Sequence, residues 1–220
     1  MRSEKQRLVP AAVGSGVAFL LIVGFGFWLG LDGEAPFAID RWWHDLVGLS
    51  PESAAFPVAH ALHVAVGTRG VAVCIAVCAI ALFAMRRWRD ACALITAGVL
   101  GIILSETTKA LVARPRPLDA LVTEHSFSYP SGHSMGAALL TVSIALMIWS
   151  GRGSASPITR WAFVGAAIWT LAMMWSRTAL QVHWLTDTIA GALLGASVAI
   201  LARVIFTYRV PEVRLVRAVA

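Results

Sequence analysis

Six side chains in the second half of the chain have the types and spacings needed to handle a phosphate group: Lys109, Arg116, His133, Arg177, His183 and Asp187. The three cations suit a multiply charged anion, and each guanidinium fork can grip two oxygens. Pro130-Ser131-Gly132-His133 reads as a turn leading into a helix N-terminus. Gly132 permits close backbone approach there, free N–H groups bind anions, and Ser131 can add a hydroxyl. Two histidines can divide the roles of nucleophile and acid. Asp187 follows His183 by four residues, so on a helix the two share a face. The carboxylate can then hold one imidazole nitrogen protonated and leave the other free to attack.

Membrane helices must position these groups. Of the 220 residues, 58% are hydrophobic and 14% charged, where soluble chains carry about 25% charged residues. Mean hydropathy is +0.75. This composition excludes a disordered chain, a collagen-like chain, a disulfide scaffold and an ordinary water-soluble domain. Uncharged runs occur at Ala11–Leu31, Gly70–Met85, Ala91–Ser105, Ser134–Gly151, Trp161–Ser176 and Thr188–Ala202. A crossing helix needs about 20 residues, so the shorter runs must borrow their flanks. The second is expected to start near Phe56 and to carry His60, His63 and Arg69; the third continues through Glu106 towards Lys109. The expectation is an all-α bundle of six transmembrane helices in one domain over residues 1–220, since no repeat and no polar linker divides the chain. The first run is too long for a typical signal-peptide core and reads as a retained anchor.

The net charge is +6 and the sequence pI about 10.0. In an apolar chain such basicity is read as topology before nucleic acid, and no nucleic-acid partner is expected. With the N-terminus inside, twelve of the eighteen Lys and Arg fall on the cytoplasmic side, among them Arg2, Lys5, Arg7, Arg86, Arg87, Arg89, Arg209, Arg214 and Arg217. Both termini are then cytoplasmic. Asp32–Pro57 is external, and its PFAIDRWWHDLVGL portion forms a short interfacial helix with Trp42 and Trp43 at headgroup depth. Under this topology Lys109, Arg116, His133, Arg177, His183 and Asp187 all gather at the external face. The topology was drawn mostly from other charges, so the convergence tests it independently.

Lys109-(six residues)-Arg116-Pro117, Pro130-Ser131-Gly132-His133 and Ser176-Arg177-(five residues)-His183-(three residues)-Asp187 resemble the three signature motifs of the type 2 phosphatidic acid phosphatase (PAP2) family, complete and in order. One such motif alone would be weak. The motifs cover Lys109–Asp187, and the helix pattern extends the likeness towards the bacterial membrane phosphatases of the family. The resemblance implies a metal-independent phosphatase without cofactor. His183 would attack phosphorus and form a phosphohistidine, Asp187 would orient His183, and His133 would protonate the leaving oxygen and then activate water. Lys109, Arg116, Arg177, Ser131 and the Gly132 amide would hold the phosphate. It further implies a bacterial inner-membrane location and an outer-leaflet lipid phosphate as substrate, with polyprenyl (undecaprenyl-type) diphosphate first and phosphatidic acid or phosphatidylglycerophosphate next. No obligatory protein partner is evident. Two competing readings are a lipid phosphotransferase, told apart by phosphorylated acceptor against free phosphate, and a non-catalytic lipid-binding or transport protein, against which the two histidines argue.

Other residues carry plainer expectations. Arg114 points away towards headgroups or, less favoured, contacts phosphate. Glu106, three residues before Lys109, holds that lysine in place. Asp119, Glu124 and His125 belong to a solvated loop or, less favoured, gate the substrate. His60 and His63 supply interfacial polarity rather than a metal site, because no further ligand is evident. Ser176 either caps, packs or acts directly. Gly191 and Gly195 allow close helix contact. Cys74, Cys78 and Cys92 are apolar thiols.

Overall fold

A computed structural model describes residues 4–32, 36–65 and 67–208. The topology-setting Arg2, Arg209, Arg214 and Arg217 lie outside the described residues, and the side chains of Lys5, Arg7 and Arg69 lie outside the described part as well. Among the described residues there are eight helices and no strand: α1 Glu4–Asp32, α2 Ala38–Val47, α3 Phe56–Ala65, α4 Thr68–Ala84, α5 Trp88–Val112, α6 Gly132–Arg152, α7 Pro157–Ala179 and α8 Leu185–Tyr208. Five segments are long and apolar enough to cross a bilayer: Leu8–Leu31, Trp88–Val112, Gly132–Arg152, Pro157–Ala179 and Leu185–Thr207. Gly70–Ala84 is apolar but shorter.

The expected second span is not one helix from Phe56. It is divided into α3 and α4, with Gly67 in an extended conformation (φ −56°, ψ 173°) as the N-cap of α4. Glycine loses the most freedom in a helix and is a poor helix former, and the break falls at this glycine. The break leaves α3 short and sets it against α7, where Ser176 Oγ donates to the Ala59 carbonyl at 2.8 Å. Ser176 is therefore a tie between helices.

Burial follows sequence period. On α1 the buried positions Leu8, Ser15, Ile22 and Leu29 recur every seven residues, while Val13, Val17, Leu20 and Leu21 stand exposed. That is one stripe towards protein and the rest towards apolar solvent. The central seam joins α6 and α8 through Met135, Leu139, Leu194 and Val198. Gly191 and Gly195 make this seam possible. A Cβ on Gly191 would stand 2.3 Å from the Ser131 carbonyl oxygen, and one on Gly195 would stand 2.1 Å from that of Met135. The helices touch backbone to backbone, and any side chain there would hold them apart. At the end of the bundle remote from His183, Asp90 receives Arg87 at 2.7 Å and also Arg203. Arg89 donates to the carbonyls of Phe206 (2.6 Å) and Thr207 (3.3 Å), satisfying the last turn of α8.

Candidate active site

The segment between α5 and α6 is pinned at several points. Ala113 closes α5 in a left-handed conformation (φ 52°), its N–H donating to the Lys109 carbonyl. Prolines 115 and 117 then forbid further helix. Ser128 N–H donates to the Arg114 carbonyl at 2.9 Å, and Ser131 N–H to the Asp187 carbonyl at 3.0 Å. Tyr129, fully buried, donates its hydroxyl to the Ile22 carbonyl at 2.8 Å. The Pro-Ser-Gly-His turn is thus bonded directly to the first turn of α8.

Lys109, Arg116, Ser131, Gly132, His133, Arg177, His183 and Asp187 converge at one end of the bundle. Arg116 donates to the Val182 carbonyl at 2.7 Å and approaches His183 Nε2 at 3.0 Å. A guanidinium can only donate, so Nε2 is the acceptor nitrogen and the imidazole proton sits on Nδ1. Nδ1 faces Asp187 Oδ2 at 3.6 Å. The lone pair of Nε2 therefore points towards the cations, and the protonated nitrogen points towards the carboxylate. Lys109 Nζ lies 3.4 Å from where a Cβ on Gly132 would be, so glycine lets the ammonium reach the start of α6. Glu106 holds that ammonium at 2.7 Å, as the spacing indicated. Ser131 is the N-cap of α6: its Oγ accepts from Ser134 N–H at 3.4 Å and from Ser134 Oγ at 3.1 Å, which leaves its own proton to donate.

Arg177 is fully buried, and its charge is shared between two partners. It approaches His63 Nδ1 at 2.5 Å and pairs with Glu124. Glu124 also lies 3.9 Å from Arg116. Glu124 is not the solvated loop residue expected from sequence; it is a carboxylate set among the cations. His63 has companions as well. Its ring stacks on that of His133 with centroids 5.4 Å apart, and possible ligand atoms of His63, Glu124 and His133 lie within 4.8 Å of one another. Two of those side chains already engage the Arg177 guanidinium. His133 Nε2 is buried without a partner.

Arg114 departs furthest from expectation. It stands neither at the surface nor among the cations around His183. Fully buried, it donates to Asp187 Oδ1 at 2.5 Å, Asp40 Oδ2 at 2.8 Å and Thr186 Oγ1 at 2.8 Å. A buried charge requires such pairing. On α2 the Trp43 indole donates to Thr178 Oγ1, in the last turn of α7, at 3.0 Å, while Trp42 stays exposed.

Electrostatics favour a neutral His183, which sits in the turn ahead of α8. Burial first, then the charges of Arg116, Arg177 and Lys109, hold its imidazole well below the ordinary 6.5. A lower pKa keeps a larger fraction deprotonated at any given pH. The acidic limb of a kcat/KM profile governed by His183 should accordingly lie well below pH 6.5. Arg116→Gln removes a positive charge 3.0 Å from Nε2 and should move that limb to higher pH. A limb that stays put or moves down would contradict this electrostatic account.

A sequence profile described as the PAP2 superfamily matches residues 90–211. The chain is 36% identical over 94 residues to a phosphatidylglycerophosphatase B of Bacillus subtilis (strain 168), covering 42% of this chain and 46% of that protein. It is 29% identical over 134 residues to an undecaprenyl-diphosphatase of Sulfolobus acidocaldarius, covering 58% of this chain and 60% of that one. The chain thus spans about half the length of these curated relatives. Its fold is similar to a crystal structure of a transmembrane PAP2 type phosphatidylglycerolphosphate phosphatase from Bacillus subtilis, with TM-score 0.75 and 24% identity over 91% of this chain and 98% of that one. Together with the long apolar helices, this makes the architecture that of a multi-pass membrane protein. The profile takes in all three motifs and more than half of the 220 residues, and the chain belongs to the PAP2 superfamily.

Proposed function

We propose that the protein is a membrane lipid phosphatase that works through a phosphohistidine on His183. The observation that carries this reading is the Arg116–His183 contact of 3.0 Å, which leaves the Nε2 lone pair directed into a cluster of cations. A phosphate gripped by Lys109, Arg116, Arg177, Ser131 and the Gly132 amide would present phosphorus to Nε2. The Nε2–P bond forms as the bond to the lipid oxygen breaks, His133 gives that oxygen a proton, and Asp187 stabilises the charge gained by the imidazole. His133 then takes a proton from water, which attacks phosphorus and frees His183. Arg177 binding His63 and Glu124 supports a metal-independent reaction, because a guanidinium occupies the cationic position.

The site lies beside apolar surface. Leu118 stands fully exposed next to Asp119, which bonds His44 of α2 at 2.9 Å; on α2 Ile39, Trp42 and Leu46 are exposed too. That suits a catalytic mouth at headgroup level, with the lipid tail left in the bilayer. In this reading α4, about 26 Å long, is the sixth span, both termini are cytoplasmic, the single domain covers residues 1–220, and the mouth opens externally in a bacterial inner membrane. The substrate ranking keeps polyprenyl diphosphate first and phosphatidylglycerophosphate or phosphatidic acid next, and the names of the two curated relatives include one of each kind. No protein partner is required.

The test is phosphate release by purified protein in nanodiscs from a panel of lipid mono- and diphosphates, with and without EDTA. Release from at least one lipid, undiminished by EDTA, is expected. Abolition by EDTA would overturn metal independence, and phosphate appearing on an acceptor alcohol instead of water would favour phosphotransfer. Labelling of a cysteine placed at Thr123 only from the cytoplasmic side would reverse the topology.

Glu124 offers a further check. Its carboxylate sits on Arg177 and near Arg116, the groups assigned to phosphate. Phosphate must displace it or share the cations with it. Glu124→Gln should lower the inhibition constant of inorganic phosphate about tenfold, equivalent to about 1.4 kcal/mol. An unchanged or raised constant would show that Glu124 does not compete.

A further inference from the structure

Three fully buried charges form a row at the edge of the site: Asp40 of α2, Arg114 and Asp187, each 0% exposed. Asp40 is bonded through both oxygens. Oδ1 accepts from Thr186 N–H at 2.9 Å, and Oδ2 accepts from Thr186 Oγ1 at 3.0 Å and Arg114 at 2.8 Å. The Arg114 guanidinium lies 5.7 Å from the Phe37 ring centroid and 6.0 Å from that of Trp184. It is fixed in plane by its bonds and held on its flanks by aromatic rings. Its second arm takes Asp187 Oδ1 at 2.5 Å. The other oxygen, Oδ2, accepts from Trp184 N–H at 2.9 Å and is the one that faces His183. Arg114 thereby decides which carboxylate oxygen meets the imidazole and in what plane.

The charge balance points the same way. Two carboxylates flank one guanidinium, leaving one net negative charge beside an imidazole that gains positive charge as it bonds to phosphorus. Removing Arg114 would leave two buried carboxylates without a shared cation, a costly arrangement that would be relieved by protonation or rotation of one of them. Asp40 lies outside the profile match at 90–211, on a helix that none of the three motifs reaches.

We propose that Arg114 and Asp40 are positioning residues that set the orientation of Asp187 and, through it, of His183, which makes α2 part of the catalytic assembly. This rests on the phosphatase reading above. Neither residue touches phosphate, so both should act on turnover and spare binding. With full-length protein in nanodiscs, Arg114→Lys should lower kcat about 100-fold and Asp40→Asn about tenfold. The inhibition constant of inorganic phosphate should stay within about twofold in both. In an Asp187→Asn background each change should cost less than about twofold more, because the group acted upon is already gone. Equal losses in both backgrounds, or phosphate binding weakened tenfold with kcat retained, would overturn the proposal.

A second readout does not need turnover. Nitrogen-15 histidine spectra of the parent should show His183 with its proton on Nδ1, and Asp40→Asn, the mildest change in shape, should give a mixture of tautomers. An unaltered His183 signal in both variants would overturn the proposal even if Arg114→Lys were too unstable for kinetics. A parent that releases no phosphate from any lipid would sink the functional reading alone, since the spectra still decide the positioning role.

Discussion

Replacing His183 with alanine is expected to lower phosphate release by at least about 10⁴-fold, about 5.5 kcal/mol of transition-state stabilisation. The expectation follows from the single orientation available to the ring. Arg116 marks Nε2 as the acceptor, Asp187 faces Nδ1, and the ring is nearly completely buried, so no neighbouring group can take over the attack. Of the two nearby imidazoles, His63 is held by Arg177, and His133, whose Nε2 is enclosed without a partner, serves proton transfer in the proposed sequence. The parent given phosphorus-labelled lipid phosphate should carry label after an alkaline quench, and His183→Ala should carry none. A variant that keeps the parent's rate, or label that survives the substitution, would remove the phosphohistidine from the mechanism.

Gly195→Ala is expected to cost about 3 kcal/mol of stability and roughly 10 °C in melting temperature, with most of the activity. In an exposed helix the same change would stabilise by up to about 1 kcal/mol. Here the new Cβ would stand 2.1 Å from the Met135 carbonyl oxygen and 2.9 Å from the Leu139 nitrogen. Both obstacles are backbone, so relief requires α6 and α8 to separate. Separation pulls on the Ser131–Asp187 bond of 3.0 Å, which joins the phosphate turn to the catalytic helix. Gly165→Ala is the control: its Cβ meets nothing within 4 Å, and both stability and turnover should stay close to the parent. Thermal unfolding in detergent and phosphate release on the same samples decide the matter; equal behaviour of the two variants would mean that the close seam is unimportant.

The convergence of Lys109, Arg116, His133, Arg177, His183 and Asp187 was legible because each sits at or near a helix end, and helix ends of a membrane bundle fall at predictable depths. The i, i+4 relation of His183 and Asp187 was readable as well. What escaped depends on loop geometry. Arg114 and Arg116 are separated by one proline, yet one is buried on two carboxylates and the other faces His183. Nothing in Arg-Pro-Arg-Pro distinguishes them. Asp40 contacts Thr186 across 146 residues. Its burial on an otherwise exposed amphipathic helix was a signal that period alone could have raised, since Ile39, Trp42 and Leu46 mark the opposite face. Glu124 escaped because a lone acidic residue in a polar loop has no pattern. The division at Gly67 escaped because hydropathy averages over a helix break.

The contact of Tyr129 with α1 bears on how the molecule is made. Its hydroxyl bonds the Ile22 carbonyl, its ring lies against Gly26, and α1 shares one apolar cluster with α8. Among the described residues the first and last helices in chain order are thus immediate neighbours, and the floor under the Pro-Ser-Gly-His turn is laid by both. During synthesis α1 must wait in the bilayer until α8 arrives. A nascent chain stalled before α8 would carry seven of the eight converging groups, all but Asp187, yet the turn that holds Ser131, Gly132 and His133 would lack the helix to which Ser131 is bonded.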